Sequence, residues 1–241
     1  MTIRTERICM FCSDFAGSME HIFPNWLNES FPKELLGETN VQFSTEMNGQ
    51  LVRRLQYQQA DPAGQRVGAV CQNCNNGWMS RLEGAVKPLL TPLIFGNKSL
   101  LSPEDQTLLA TWAVKTSMVF EYTHGRLKNF SQLDRTNLML ELQPSGNVTV
   151  FAAFISTRSG PLANYFLIGR ESNDYGMHVL QIGNLLLHLH RFENQGEVPK
   201  PNFDSVPFSR RIYPTAESVT LSFDEMRSFD DGTMLKFLNG T

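Results

Sequence analysis

The chain has 241 residues, 41% hydrophobic and 19% charged, with a formal net charge of -3. That length and mix allow one large domain or two small ones with a sizeable core, and they exclude a mostly disordered chain. A pI near 6.0 excludes the broadly basic balance that alone would mark a nucleic-acid binder, so any such role must rest on a local basic surface.

Residues 1–7 are polar, and no apolar run of the kind a secretory signal needs follows them. The longest apolar stretch, residues 108–120, is interrupted by Lys115 and is too short to span a bilayer. The expectation is a cytoplasmic protein without membrane association, in which the cysteines stay reduced. Residues 36–70 are polar. Val52, Leu55 and Tyr57 suit a strand, 61–64 (Asp-Pro-Ala-Gly) a turn, and 67–70 a short strand.

A helix is expected from about Asn75, because Trp78, Leu82, Ala85, Val86 and Leu89 share one helical face. Pro88 should lie near its end, and Pro92 should prevent continuation. The next helix has the clearest start: Ser102 as N-cap, Pro103 at the first helical position, and Asp105 three residues after the cap. It should run to about Tyr122. Beyond it the composition turns to strands: 148–155, 165–168, a hairpin of 177–182 and 185–192 around Gly183-Asn184, and 218–223. The fold class read from this order is α+β: a zinc-stapled N-terminal module over 1–100, then a helical middle and an antiparallel β-rich region over 101–241.

The four cysteines form two matched pairs, Cys9-x-x-Cys12 and Cys71-x-x-Cys74. Two residues between thiols let both sulfurs face one ion, and two such knuckles complete the tetrahedral thiolate shell that structural zinc favours. Four thiolates leave no open position for water, so this Zn2+ is expected to be structural. Drawing the knuckles together would also bring Asn75 close to the segment after Cys12, which holds Glu20-His21-Ile22-Phe23-Pro24.

This constellation resembles the HNH endonucleases, the ββα-metal family, in the branch with a four-cysteine zinc site. The shared pattern is Cys-x-x-Cys, then acidic-His-Ile-x-Pro, then Cys-x-x-Cys followed by His or Asn, and it covers about residues 9–83. The resemblance implies a treble-clef-like ββα-metal module that hydrolyses DNA phosphodiester bonds. His21 would be the general base, and Glu20 and Asn75 would hold a catalytic Mg2+ or Mn2+. Two departures stand out. Glu20 replaces the usual Asp, and the central Asn has no clear match, with Asn40 and Asn48 in the interval but out of context. Asn76 is an alternative ligand to Asn75.

The competing expectation is a non-catalytic zinc-binding module that binds nucleic acid or a protein partner. A redox protein built on both Cys-x-x-Cys pairs is a weaker third. His188 and His190 share a strand face, a pattern more often structural than metal-binding. Arg53-Arg54 and Arg210-Arg211 are basic pairs that suit phosphate or plain solvent exposure. Trp78 and Trp112 fall on apolar helical stripes and are expected in the core.

Overall fold

The computed structural model describes residues 7–30, 39–47, 50–59, 65–123, 128–155, 163–170, 175–193, 209–215 and 217–222, with side chains undescribed at 28, 30, 39–59 and 163–170. The fold mixes helices with largely antiparallel sheets. Strand β1 (Ser18–His21) pairs antiparallel with β4 (Arg66–Val70), with an irregularity between Ser18 and Glu20. A short helix α1 (Trp26–Ser30) follows β1. After β4 the chain turns at Cys71 into α2 (Gln72–Cys74), a π-helical turn (Asn75–Met79) and α3 (Ser80–Ile94).

The helical run therefore begins three residues earlier than the periodicity suggests. Cys71 caps it, because its sulfur accepts from the Cys74 backbone N–H at 3.3 Å. Pro88 and Pro92 lie inside α3 and do not end it. Each proline removes one helical hydrogen bond, at about 3 kcal/mol. Leu82, Val86, Leu90, Leu93 and Ile94 are all buried on this helix, and full burial is worth about 1.5–3 kcal/mol per side chain. Five such side chains outweigh two prolines.

Strand β5 (Ser99–Leu101) leads to α4 (Pro103–Phe120), the central helix. Its start is as expected: Ser102 and Asp105 make a complete capping box with Pro103 inside it. Every residue from Leu109 to Phe120 is buried, as befits a helix covered on all sides. Helix α5 (Gln132–Glu141) opens with a second capping box, Ser131 with Asp134.

The remaining strands are β2 (Thr39–Met47), β3 (Gln50–Gln59), β6 (Val148–Phe154), β7 (Ala163–Arg170), β8 (Tyr175–Ile182), β9 (Leu185–Phe192), β10 (Arg210–Tyr213) and β11 (Val219–Leu221). Seven of them form one sheet in the order β10-β6-β9-β8-β7-β2-β3, and β11 pairs with β5. The hairpin at Gly183-Asn184 joins β8 to β9, with Ile182 opposite Leu185. Every residue of β9 is buried, so the middle of the sheet is covered on both faces. The β2–β3 hairpin, which lies in sequence between the two cysteine pairs, extends this sheet through parallel pairing of β2 with β7. A boundary at residue 100 therefore does not divide the sheet: strands from both sides of it are hydrogen-bonded neighbours.

Charged groups are buried where α4, α5 and the sheet meet. Glu121 pairs with Arg135 and accepts from the backbone N–H groups of Asn129 and Phe130. Asp134 pairs with Arg191 at 3.2 Å. His178 lies 3.8 Å from Glu121 through its Nε2. No helix among the described residues is long and apolar enough to cross a membrane.

Candidate metal centre and adjoining cleft

The first knuckle is held by backbone bonds. The Cys9 N–H donates to the Asp14 carbonyl at 2.8 Å, and the Met10 N–H to the Ala69 carbonyl at 2.8 Å. Ile8 bridges Phe15 across the knuckle. The second bond ties this loop to β4, directly ahead of Cys71. Helix α5 closes over the same loop: Gln132 Nε2 donates to the Met10 carbonyl and Thr136 Oγ1 to that of Phe11. Phe11 packs edge-on against Trp78, ring centroids 4.9 Å apart.

The result is a cluster of four sulfurs, Cys9, Cys12, Cys71 and Cys74, all within 4.8 Å of one another. Cys12 to Cys71 is 3.5 Å and Cys74 to Cys12 is 3.7 Å. A tetrahedron of sulfurs each ~2.3 Å from an ion has edges of ~3.8 Å, so the thiols are positioned to hold a metal ion. Cys9, Cys71 and Cys74 are buried and Cys12 is half-buried. Burial, the largest influence, pushes the Cys12 thiol up to about 11 and raises Cys74 as well. Cys9 is lowered: burial opposes its ionisation, but backbone N–H groups of Phe11, Cys71 and Cys12 favour the thiolate. Crowded, buried thiols of this kind ionise together only when a cation neutralises them.

The expected catalytic residues fall around β1. Asn75 reaches it, as the closing of the knuckles requires: its Nδ2 donates to Ser18 Oγ at 2.7 Å and to the Met19 carbonyl at 3.3 Å. Glu20 and His21 are consecutive on a strand, so they face opposite sides. Glu20 turns into the core, where Lys115 Nζ donates to its Oε1 at 3.2 Å and to Glu83 Oε1 at 2.7 Å. Lys115 is completely buried. Burial raises the Glu20 carboxyl while Lys115 pulls it down and Glu83 raises it further. Burial also opposes the Lys115 charge, yet Glu83 and Glu20 leave it raised overall. His21 turns outward. Its Nε2 accepts from Arg66 Nε at 2.8 Å, which places the ring proton of a neutral imidazole on Nδ1.

Beside His21 lies a polar cleft of about 360 Å³ lined by Arg7, Gln65, Arg66, Tyr122, Thr123 and the β4 segment Val67–Ala69. Lys128 Nζ sits 3.9 Å from the centre of the Tyr122 ring. Neither Arg7 nor Arg66 is singled out by any motif. The available sequence signal is the short strand expected at 67–70, and nothing in it says that Arg66 comes to lie opposite His21. Lys115 stood out only as a charge in an apolar run, and its two carboxylate partners come from segments 95 and 32 residues away.

His188 and His190 do share a neighbourhood, but a closed one. Both are buried, with His188 Nδ1 3.1 Å from His190 Nε2 and Tyr175 OH 2.9 Å from His190 Nδ1. Arg210 and Arg211 are exposed on edge strand β10. Arg53, Arg54 and Asn40 lie on β3 and β2, whose side chains are outside the described residues, as is Asn48 altogether. Asn76 is exposed. Trp78 and Trp112 are buried in the core. Comparison with known proteins finds no matching family, no matching curated protein and no matching solved structure.

Proposed function

We propose that this chain is a zinc-stapled nucleic-acid-binding protein whose contact surface is the β1–β4 ladder and the cleft beside it. Zinc is the metal best suited to four thiolates at tetrahedral spacing. The observation that carries the reading is the pair of guanidinium groups, Arg7 and Arg66, facing one polar cleft without a carboxylate among its lining residues. Such a local concentration of positive charge is what phosphate contacts need when the whole chain is mildly acidic. A treble-clef-like ββα-metal module draws support from the antiparallel β1–β4 pair and the helical run that follows Cys71.

Binding without cleavage is favoured by the surroundings of Glu20. A divalent ion there would have to displace a buried ammonium, and removing one partner of a buried ion pair is costly. A metal-dependent DNA endonuclease is the second reading. It is supported by His21, bonded to the cleft-lining Arg66, and by Asn75, which reaches β1 from the helical turn after Cys74. In that case Mg2+ or Mn2+ would be held with Asn75, and His21 would need to release Arg66 before accepting a proton from water.

Purified protein should carry about one zinc per chain, read by elemental analysis. It should retard DNA in a salt-sensitive way without cutting it. Plasmid cleavage that needs Mg2+ or Mn2+ and disappears in His21→Ala would establish the nuclease instead. Absence of both binding and cleavage would remove the nucleic-acid reading.

A further inference from the structure

We infer that the outer face of β1, with the knuckle before it, is a docking strip for single-stranded nucleic acid, where Phe15 stacks on a base and Arg7 and Arg66 hold phosphates. This rests on the nucleic-acid reading above and adds the strand form and the contact residues.

The strip begins at the base of the first knuckle. Phe15 is 67% exposed and its bridge partner Ile8 66%, far more than a core aromatic would show. The Phe15 ring does not stand free of β1: it lies along Gly17, 3.0 Å from where a Cβ there would be. Gly17 and Met19 are exposed and His21 half-buried, whereas Ser18 is bonded to Asn75 and Glu20 is buried, which sets Gly17, Met19 and His21 on one side and Ser18 and Glu20 on the other. Glu20 is buried against Lys115, so the Gly17–Met19–His21 side is the outer one, and Met19 is 55% exposed. At ~3.3 Å per residue, this run is about 13 Å long.

Basic groups border the same run. Met19 Sδ and Arg7 Nη1 converge over Gly68, 3.2 and 3.3 Å from the position a Cβ would take. The missing side chain at 68 thus leaves space for the Arg7 guanidinium beside Met19. Arg66 follows at the register position opposite His21 and bonds its ring. An aromatic face, an apolar thioether and two guanidinium groups, drawn from the first knuckle, β1 and β4, border one side of the β1–β4 ladder.

That sequence of chemistries matches an unpaired strand. Base stacking on an aromatic ring needs a base whose face is available, and a duplex offers only edges and backbone. A duplex would use the arginines and leave Phe15 without a purpose. An acidic peptide would likewise use the arginines alone.

The test uses the full, zinc-loaded chain and fluorescence anisotropy. Probes are one mixed-sequence 12-mer as single-stranded DNA, as single-stranded RNA and as duplex DNA, at one low salt concentration. A single strand should bind at least about tenfold tighter than the duplex. Phe15→Ala should weaken single-strand binding about tenfold, within the range base–aromatic stacking gives, and leave duplex binding unchanged. Phe15→Trp should restore it. Arg7→Gln and Arg66→Gln should each lower the slope of log affinity against log salt by about 0.7, with zinc content intact. Equal binding of strand and duplex, unaffected by Phe15→Ala, would overturn the strip while leaving the nucleic-acid reading standing. Competition by a polyglutamate peptide as effective as by the strand would also overturn it. Binding to no probe would overturn both.

Discussion

Around Cys9, Cys12, Cys71 and Cys74, four thiols crowd within 4.8 Å of one another, and the described hydrogen bonds of their sulfurs run to one another, to Met139 and to a backbone N–H, with no cationic side chain among them. Around Glu121 and Asp134, by contrast, each buried carboxylate has its own arginine, Arg135 and Arg191. Both regions bury ionisable groups, but one is positioned to take its counter-charge from a metal ion and the other carries its counter-charges in its own sequence. The knuckle unit should therefore respond to chelators, and the layer between α4, α5 and the sheet to protons. The comparison sets a two-stranded ladder of four and five residues against a seven-stranded sheet with a buried helix, so an ion has more to contribute to the first than to the second.

The largest expected effect breaks the comparison on the knuckle side. Structural zinc in small modules is bound with an apparent ~10–16 kcal/mol, comparable to the whole stability of a domain. Complete metal removal, or Cys71→Ser, should abolish hydrogen-exchange protection at the Met10 and Cys74 amides while the amides of β8 and β9 keep theirs. Unchanged protection at Met10 after the metal is gone would show that packing, not the ion, holds the knuckles.

Next in size is Lys115, which joins the two regions: it sits on α4 and neutralises Glu20 of β1 and Glu83 of α3. Lys115→Met leaves two carboxylates facing one another in a buried site and should cost about 3–5 kcal/mol in urea unfolding. Adding Glu20→Gln and Glu83→Gln should recover most of that loss, because the uncompensated charge is what costs. Glu20→Gln alone should cost less than Lys115→Met, since the 2.7 Å Lys115–Glu83 pair remains.

How much of this was legible follows the range of each signal. Spacing within four residues carries the thiol pairs, the Ser102 capping box and the Gly183-Asn184 hairpin, and all three appear in the structure where the sequence puts them. The same capping signal at Ser131 and Asp134 marks α5, which has no clear apolar stripe because its buried face holds Asp134 and Arg135 beside Leu138. Pro88 and Pro92 misled for the opposite reason: the local penalty was visible and the compensating burial of Leu90, Leu93 and Ile94 was not. At the candidate site, the approach of Asn75 to β1 follows from the paired knuckles. The inward turn of Glu20 depends on Lys115, far along the chain, and no short-range pattern holds that information. The Arg7–Arg66 cleft is of the same long-range kind.

Protons should act on the sheet side. Burial first, then the charges of His190, Arg135 and Arg191, lowers His178 to about 3, and burial lowers His190 to about 3. His188 is lowered too, by burial and by His190. Between the ordinary value near 6.5 and about 3, the unfolded chain therefore binds protons that the folded chain refuses. Unfolding free energy should fall as pH drops through that window. Glu121 opposes the trend. Burial raises its carboxyl to about 7 against the pull of Arg135, so its own contribution weakens as pH rises from about 4.5 to 7. His178→Gln removes one titrating group, and the slope of unfolding free energy between pH 6 and 4 should drop by about 1.4 kcal/mol per pH unit. An unchanged slope would mean that His178 is protonated in the folded state, with Glu121 as its partner at 3.8 Å.

The smallest effect sharpens the comparison most finely, because α5 touches both regions. Its first turn bonds the Met10 carbonyl through Gln132, and its Asp134 accepts from Arg191 of β9. Ser131→Ala removes the hydroxyl that accepts from the Asp134 N–H at 3.1 Å, a loss of about 1 kcal/mol and ~2–4 °C in melting temperature. Ser102→Ala removes the matching cap of α4 and should cost the same. The two variants should differ in chelation: loosening α5 uncovers the Met10 loop and should speed metal loss to a chelator, while loosening the start of α4, whose described bonds run to its own cap and to the Leu101 and Glu217 carbonyls, should not. Equal chelation rates would place the restraint on the first knuckle in its own bonds to Asp14 and Ala69, with α5 as a passive cover.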